Sequence, residues 1–226
     1  AGMLDLAGFE KPLFCLRKAL WTKEPSVRIA VGDGGAEDRG TWNETFLWEG
    51  KNSEKKRVSV YTNEPEAELF LNNCPLGKKT LRDEDGCRLV WEVPYAEGEL
   101  RCVTPHASDS LCTPGKAEKL RLTPDRTQCP AEGTQAVTLE IHLEDGQGRA
   151  ARDEAVSIQV SGDLKLLGIE NGRPDDLTPY PENCRQTLCG RAIAYVRAGT
   201  CPGKAAVYAR TESGLTAEIT LDLIKS

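Results

Sequence analysis

Two hundred and twenty-six residues, 39% of them hydrophobic, suit one large globular domain or two of ordinary size. The formal net charge of −6 excludes a nucleic-acid partner, which needs a basic footprint. No apolar run approaches the ~20 residues of a membrane-spanning helix, and no basic stretch followed by an apolar one marks a signal peptide.

The chain opens on Gly2-Met3-Leu4-Asp5-Leu6-Ala7-Gly8-Phe9-Glu10-Lys11-Pro12, four large apolar residues around a short acidic turn with no preceding element to give them a core. Pro12 suits the first turn of a helix, where its missing N–H costs nothing, and Leu13, Leu16 and Leu20 then share one helical face. Residues 1–24 therefore read as the cut end of something larger. Phe9, Phe14 and Trp21 are the side chains through which this segment would fold back onto the next domain.

From residue 26 the period changes to two. Val58 and Val60 alternate with Arg57 and Ser59, and Ala67, Leu69 and Leu71 with Glu66, Glu68 and Phe70. Cys87, Leu89, Trp91 and Val93 share one face, opposite Arg88 and Glu92. Val137, Leu139, Ile141 and Leu143 alternate with polar partners, as do Leu215, Ala217, Ile219, Leu221 and Leu223. Each reads as a strand with one buried and one wet face. Turn residues separate them, at Asn72 to Gly77, Asp85-Gly86, Asp145-Gly146 and Pro202-Gly203. Lys55-Lys56-Arg57 opens one strand and reads as a solvated edge guard. Short strands without intervening helices predict an all-β architecture of two sandwiches in tandem. The boundary falls at Thr113-Pro114-Gly115-Lys116, giving sandwiches over 25–115 and 116–226. Asn171 to Gly190, rich in Pro, Asp and Asn, is the longest stretch without alternation, a length usual for a functional, disordered or interface loop.

The nine cysteines are widely spread with no C-x-x-C pair, which argues against zinc; no metal or other cofactor is expected. Their odd number and the domain size favour unpaired thiols, hence a reducing compartment such as the cytoplasm, with export of a longer protein left open. Cys184 and Cys189, in one loop, are the exception to watch, while Cys87 and Cys102 read as small hydrophobes within strands.

No catalytic constellation stands out. His106 and His142 lack a nearby nucleophile. Gly32-Asp33-Gly34-Gly35 runs into Glu37-Asp38, which would repel phosphate. Asn43-Glu44-Thr45 matches the short glycosylation triplet without a secretory context. Asp175-Asp176 reads as solvated loop charge, with a calcium or sugar contact as the sharper reading. Trp42 and Trp48 are the carbohydrate-binding candidates: exposed, the pair could stack on sugar rings; buried, it would fill the core or a contact with further protein.

Taken in order, these segments resemble the C-terminal end of a glycoside hydrolase family 2 enzyme of the β-galactosidase type. Residues 2–12 followed by Ala19-Leu20-Trp21 are similar to the last loop and helix of that family's (β/α)8 barrel. Trp48-Glu49-Gly50, Val58 to Asn63 and Glu68 to Asn72 resemble the sandwich after the barrel, although the family's two tryptophans are usually closer together than Trp42 and Trp48. Leu120 to Arg126, Leu166 to Gly172 and Gly190 to Gly199 resemble its terminal immunoglobulin-like domain, a pattern related to bacterial adhesin repeats. The resemblance implies immunoglobulin-like sandwiches behind a barrel remnant. The parent it implies cleaves terminal β-galactosides or related β-glycosides with retention, using two barrel glutamates that have no counterpart here. The chain itself would then be non-catalytic: a brace for the barrel, a rim for its active site or an oligomer contact. A carbohydrate-binding module and an adhesin-like spacer are the alternatives. The implied partners are the missing barrel, glycans or a second copy of the chain.

Overall fold

The computed structural model describes residues 2–34 and 40–225. They divide into two compact units between Pro114 and Gly115, with Leu6–Phe9 grouped with the second. Each unit is a β-sandwich, and one short α-helix, α1 (Pro12–Trp21), accompanies the first.

In the first unit, β2 (Glu44–Thr45), β1 (Val27–Asp33), β3 (Lys55–Thr62) and β6 (Arg88–Pro94) form one antiparallel sheet in that order. The other is β5 (Cys74–Thr80), β4 (Glu66–Leu71), β7 (Glu99–Val103) and β8 (Ser108–Cys112). Between them lie Ile29, Val58, Val60, Leu69, Leu89, Trp91, Leu100 and Cys102, supplied by the alternation of each strand. Two local expectations change. Cys87 lies outside β6 in a left-handed backbone conformation (φ 63), so only Leu89, Trp91 and Val93 continue the buried face. Of Asn72 to Gly77, expected as turn, only Asn72-Asn73 is a two-residue hairpin, both with positive φ as that tight turn requires, and Cys74 onward is strand β5. Its Pro75 is tolerated because β5 is an edge strand.

The larger departure concerns the outer face of the β1–β3 sheet. Strands there were expected to have a wet side, yet β3 is buried on both. Helix α1 covers that side, placing Cys15 against Ala30 and Tyr61 with Phe14, Leu16 and Phe46 around them. The seated face is Pro12, Cys15 and Ala19; Leu20 is exposed, so the leucine stripe is not the docking stripe. Small side chains allow a helix to approach a sheet closely, which is why cysteine and alanine occupy the contact. Lys56 also departs from its reading as a solvated guard. Central β3 leaves it little exposure, and its ammonium pairs with Glu54 at 2.9 Å and Asp33 at 3.2 Å.

In the second unit, β13 (Leu164–Glu170), β15 (Arg191–Ala198), β11 (Ala136–Glu144) and β9 (Lys119–Pro124) form one sheet in that order. The other contains β10 (Gln128–Pro130), β17 (Thr216–Ile224), β16 (Gly203–Thr211), β12 (Ala155–Ser161) and β14 (Cys184–Gln186). Among the described strands of this unit, β10 and β17 alone pair in parallel. Val137, Leu139, Ile141 and Leu143 all enter the core, with Val156, Ile158, Val207 and Leu221 facing them. The Asp145-Gly146 turn is fastened by the Asp145 carboxylate. It accepts the backbone N–H groups of Gln147 (2.9 Å) and Arg149 (3.0 Å) and two N–H groups of the Arg149 guanidinium.

Candidate functional site: the helix seat and the pinned loop

Beneath α1 the sheet buries a polar cluster that alternation alone had placed in water. Glu44 sits on β2 opposite Gly32 of β1. Its side chain crosses the glycine, where an added Cβ would come within 3.4 Å of the Glu44 Cγ and 3.1 Å of the Asn43 carbonyl oxygen. The carboxylate accepts the hydroxyls of Ser59 and Tyr61, and Arg88 Nη2 meets it at 2.9 Å. Arg88 Nε also donates to Ser59 Oγ at 3.0 Å. Burial, then the Glu44 charge, pushes the Tyr61 phenol well above its ordinary value and keeps it a donor. These hydrogen bonds tie β2, β3 and β6 together under the helix, with the Glu44 carboxylate and the Ser59 and Tyr61 hydroxyls spent on one another.

The other face of the N-terminal segment is open. Of the ten exposed large hydrophobic side chains among the described residues, five lie within residues 3–21: Met3, Leu4, Leu6, Leu20 and Trp21. Trp21 is 70% exposed, with the Arg17 guanidinium 5.5 Å from its ring centroid. Phe14 does pack toward the first sandwich, whereas Phe9 lies with the second unit under the Arg191 guanidinium, 4.2 Å away.

The sugar-stacking candidates fare differently. Trp48 is fully buried in the first core, tilted against Tyr95 at 5.0 Å, and its indole N–H donates to Ala96 O at 3.0 Å. No face of the ring is open to a sugar, because the sandwich uses it as filling. The side chain of Trp42 lies outside the described residues, as do Gly35, Glu37 and Asp38 of the glycine-rich turn. His106 pairs with Glu64 at 2.8 Å and His142 with Glu140 at 3.0 Å. No disulfide joins any of the nine cysteines, Cys184 and Cys189 included.

The Asn171–Gly190 stretch is more ordered than its composition predicts. Glu170, buried at the end of β13, accepts the backbone N–H groups of Asn171 (2.9 Å) and Gly172 (2.8 Å). Asn171 Nδ2 donates to Asp176 Oδ2 (2.7 Å) and to Gln186 O (2.9 Å) of β14. Arg185, also on β14 and buried, meets Asp176 Oδ2 at 3.2 Å and donates to the Thr178 carbonyl at 2.6 Å. Asp176 is therefore a fastening rather than solvated charge. Hydrogen bonds from Thr178, then Asn171 and the Arg185 charge, hold its carboxyl below the usual range. Gly168 is required, since a Cβ there would lie 2.5 Å from the Tyr180 carbonyl oxygen. Beside exposed charges such as Asp175, the pinned loop presents two large apolar side chains: Leu177 is 91% exposed and Tyr180 57%. Composition had no way to report Glu44, Ser59 and Tyr61, or Glu170 and Arg185, as buried partners, nor half-buried Arg88 as one of them; the positive φ forced on Asn72 and Asn73 was the kind of signal it does carry.

The fold defines the class of the molecule as a tandem β-sandwich module with an accompanying helix. Residues 120–220 match the model of glycoside hydrolase family 2 C-terminal domain 5, and residues 53–107 match DUF4982, a domain of unknown function. The chain is 28% identical over 218 residues to Beta-galactosidase BoGH2A of Bacteroides ovatus, covering 93% of this chain and 24% of the relative. A protein of Formosa agariphila with a provisional beta-glucuronidase name is 29% identical over 234 residues, covering 99% of this chain and 21% of the other. The crystal structure of a glycosyl hydrolase family 2 member from Bacteroides cellulosilyticus superposes with a TM-score of 0.90 at 32% identity, covering 99% of this chain and 32% of that one. The chain belongs to glycoside hydrolase family 2 and corresponds to its C-terminal region. It spans about a quarter of the length of the curated relatives it matches.

Proposed function

We propose that this chain is a non-catalytic bracing part of a family 2 glycosidase, whose remaining portion packs on residues 3–21. The observation that supports this most is the two-sided helix. One side of α1 is seated on the first sandwich, while Leu20 and Trp21 present apolar surface that water disfavours. The pinned loop, with Leu177 and Tyr180 at its tip, fits a second contact of the same kind. The whole protein would cleave a terminal β-glycoside with retention through two carboxylates. A β-galactoside is the first choice, on the name of the Bacteroides ovatus relative.

The test is direct. The purified chain is expected to be inert on p-nitrophenyl β-galactoside and p-nitrophenyl β-glucuronide. Turnover above buffer on either one ends the reading.

A further inference from the structure

The outer face of the β12–β16–β17 sheet holds a groove of about 410 Å³, within the size range of small-ligand sites. The strand register sets its side chains in two rows: Gln159, Tyr208 and Glu218 in one, Ser157, Arg210 and Thr216 in the next. Tyr208, on the central strand, is 40% exposed. Among the described residues, the side chains of Gln159, Tyr208, Arg210 and Glu218 make no hydrogen bond or ion pair with the rest of the chain. Further along the same face, Lys204 and Asp222 sit opposite each other and close into an ion pair, and Arg185 and Asp176 do so in the loop. Arg210 and Glu218 are diagonal neighbours on adjacent strands, yet they stay apart beside the tyrosine.

We propose that this groove binds a neutral glycan. A pyranose presents an apolar C–H face and an edge of neighbouring hydroxyls that both donate and accept. The Tyr208 ring supplies the flat amphipathic surface for the first. Arg210 as donor, Glu218 as acceptor and Gln159 as both supply planar groups for the second. One positive and one negative group cancel across the groove, which favours a neutral ligand over a phosphate or polyanion. The groove is not lined by Trp48 or by Leu177 and Tyr180 at the loop tip, and it adds a binding role to the bracing role.

The test is a residue-resolved NMR titration of the whole chain with neutral β-linked tetraoses of galactose, glucose and mannose, alongside an acidic galacturonate tetraose. Saturable shifts confined to residues 157–159, 208–210 and 216–218 with a neutral tetraose are expected. Tyr208→Ala should weaken that binding by about tenfold or more, as loss of a central aromatic anchor does, with an unchanged melting temperature. Gln159→Ala, also exposed, is the second variant and should weaken it less.

Four results would overturn the proposal: no shifts at about 10 mM neutral sugar, beyond the millimolar range of weak sites; shifts centred on Leu177 and Tyr180; binding of the acidic tetraose alone; or a Tyr208→Ala chain that binds as before. None of these touches the bracing role, which the turnover assay reads separately.

Discussion

On β3 of the first sandwich, Ser59 and Tyr61 occupy alternate positions turned away from the core, and both are buried; on β16 of the second, Tyr208 and Arg210 stand at the corresponding positions in solvent. The strands do not differ in kind. Both alternate apolar and polar residues, and both are interior to their sheets. The difference lies in what covers them. Helix α1 lies on the first face, so polar side chains there must find partners within the protein, and Glu44 supplies them for Ser59, Tyr61 and Arg88. No other described element of the second unit lies on the second face, where Arg210 and Glu218 keep their hydrogen-bonding capacity for a ligand or for water. A covered polar face therefore becomes a structural lock, and an uncovered one a candidate binding surface.

The sharpest way to break this comparison is to remove the lock. Glu44→Ala removes the buried carboxylate that Ser59, Tyr61 and Arg88 share. Breaking a buried pair from one side costs about 3–5 kcal/mol, and that loss is expected in the first sandwich alone. Tryptophan fluorescence during urea unfolding isolates it, because all four tryptophans (residues 21, 42, 48 and 91) precede the second sandwich. Glu218→Ala, the matching change on the open face, should move stability by no more than about 0.5 kcal/mol. Equal losses from the two variants would show that the faces do not differ as the burial indicates.

This asymmetry was not legible in the sequence, and the reason is physical. Alternation reports which positions share a face, and it placed Val137, Leu139, Ile141 and Leu143 of β11 correctly because that strand keeps one side toward water. It is silent about a distant element laid over the second side. The helix itself was legible from Pro12 onward, but its seat was not. Cys15 and Ala19 make the contact because they are small, whereas a hydrophobicity count favours Leu13, Leu16 and Leu20. Strand β5 was missed for the opposite reason. Most of Cys74 to Thr80 is exposed, and the Asn72-Asn73 hairpin, not burial, holds it to β4. The loop fastening at Asp176 looked like solvated charge because its partner Arg185 lies beyond a proline-rich turn and reaches it only in three dimensions.

A second test uses pH. In the first sandwich the marked shifts lie mainly on the alkaline side: burial raises Cys15 to about 11 and Cys102 to about 12, and Tyr61 is raised further. These groups bind their protons more tightly folded than unfolded. Their contribution is whole below the ordinary thiol value near 9 and is lost as pH climbs through 11 and 12. In the second sandwich the carboxylates dominate. Hydrogen bonds from Arg149 hold Asp145 low, and those from Thr178 hold Asp176 low. Their contribution is present above the ordinary carboxyl value of 3.8 and is lost as pH falls through the depressed values. Urea midpoints followed by tryptophan emission for the first unit, and by hydrogen exchange of β11 and β15 for the second, should fall first in base and first in acid respectively. Parallel decline of both units at both extremes would contradict the assignment.

The smallest effect is the most informative about what the helix is for. Trp21 closes α1 yet stays 70% exposed, and among the described residues its ring contact is with Arg17 on the same helix. Exposed residues with so little packing change stability by no more than about 0.5 kcal/mol when truncated, so Trp21→Ala should leave the urea midpoint of the first sandwich in place. Ala19→Leu, two positions away on the seated face, should lower it by about 1–3 kcal/mol, since a larger side chain cannot enter a close helix–sheet contact without displacing it. A large side chain that contributes nothing to the fold it belongs to, beside a small one that cannot be enlarged, is the pattern of an element with one side already docked and the other still unfilled. If Trp21→Ala instead costs as much as Ala19→Leu, the indole already has its partner within these 226 residues. The apolar fringe then gives no support to a contact with the rest of a longer enzyme.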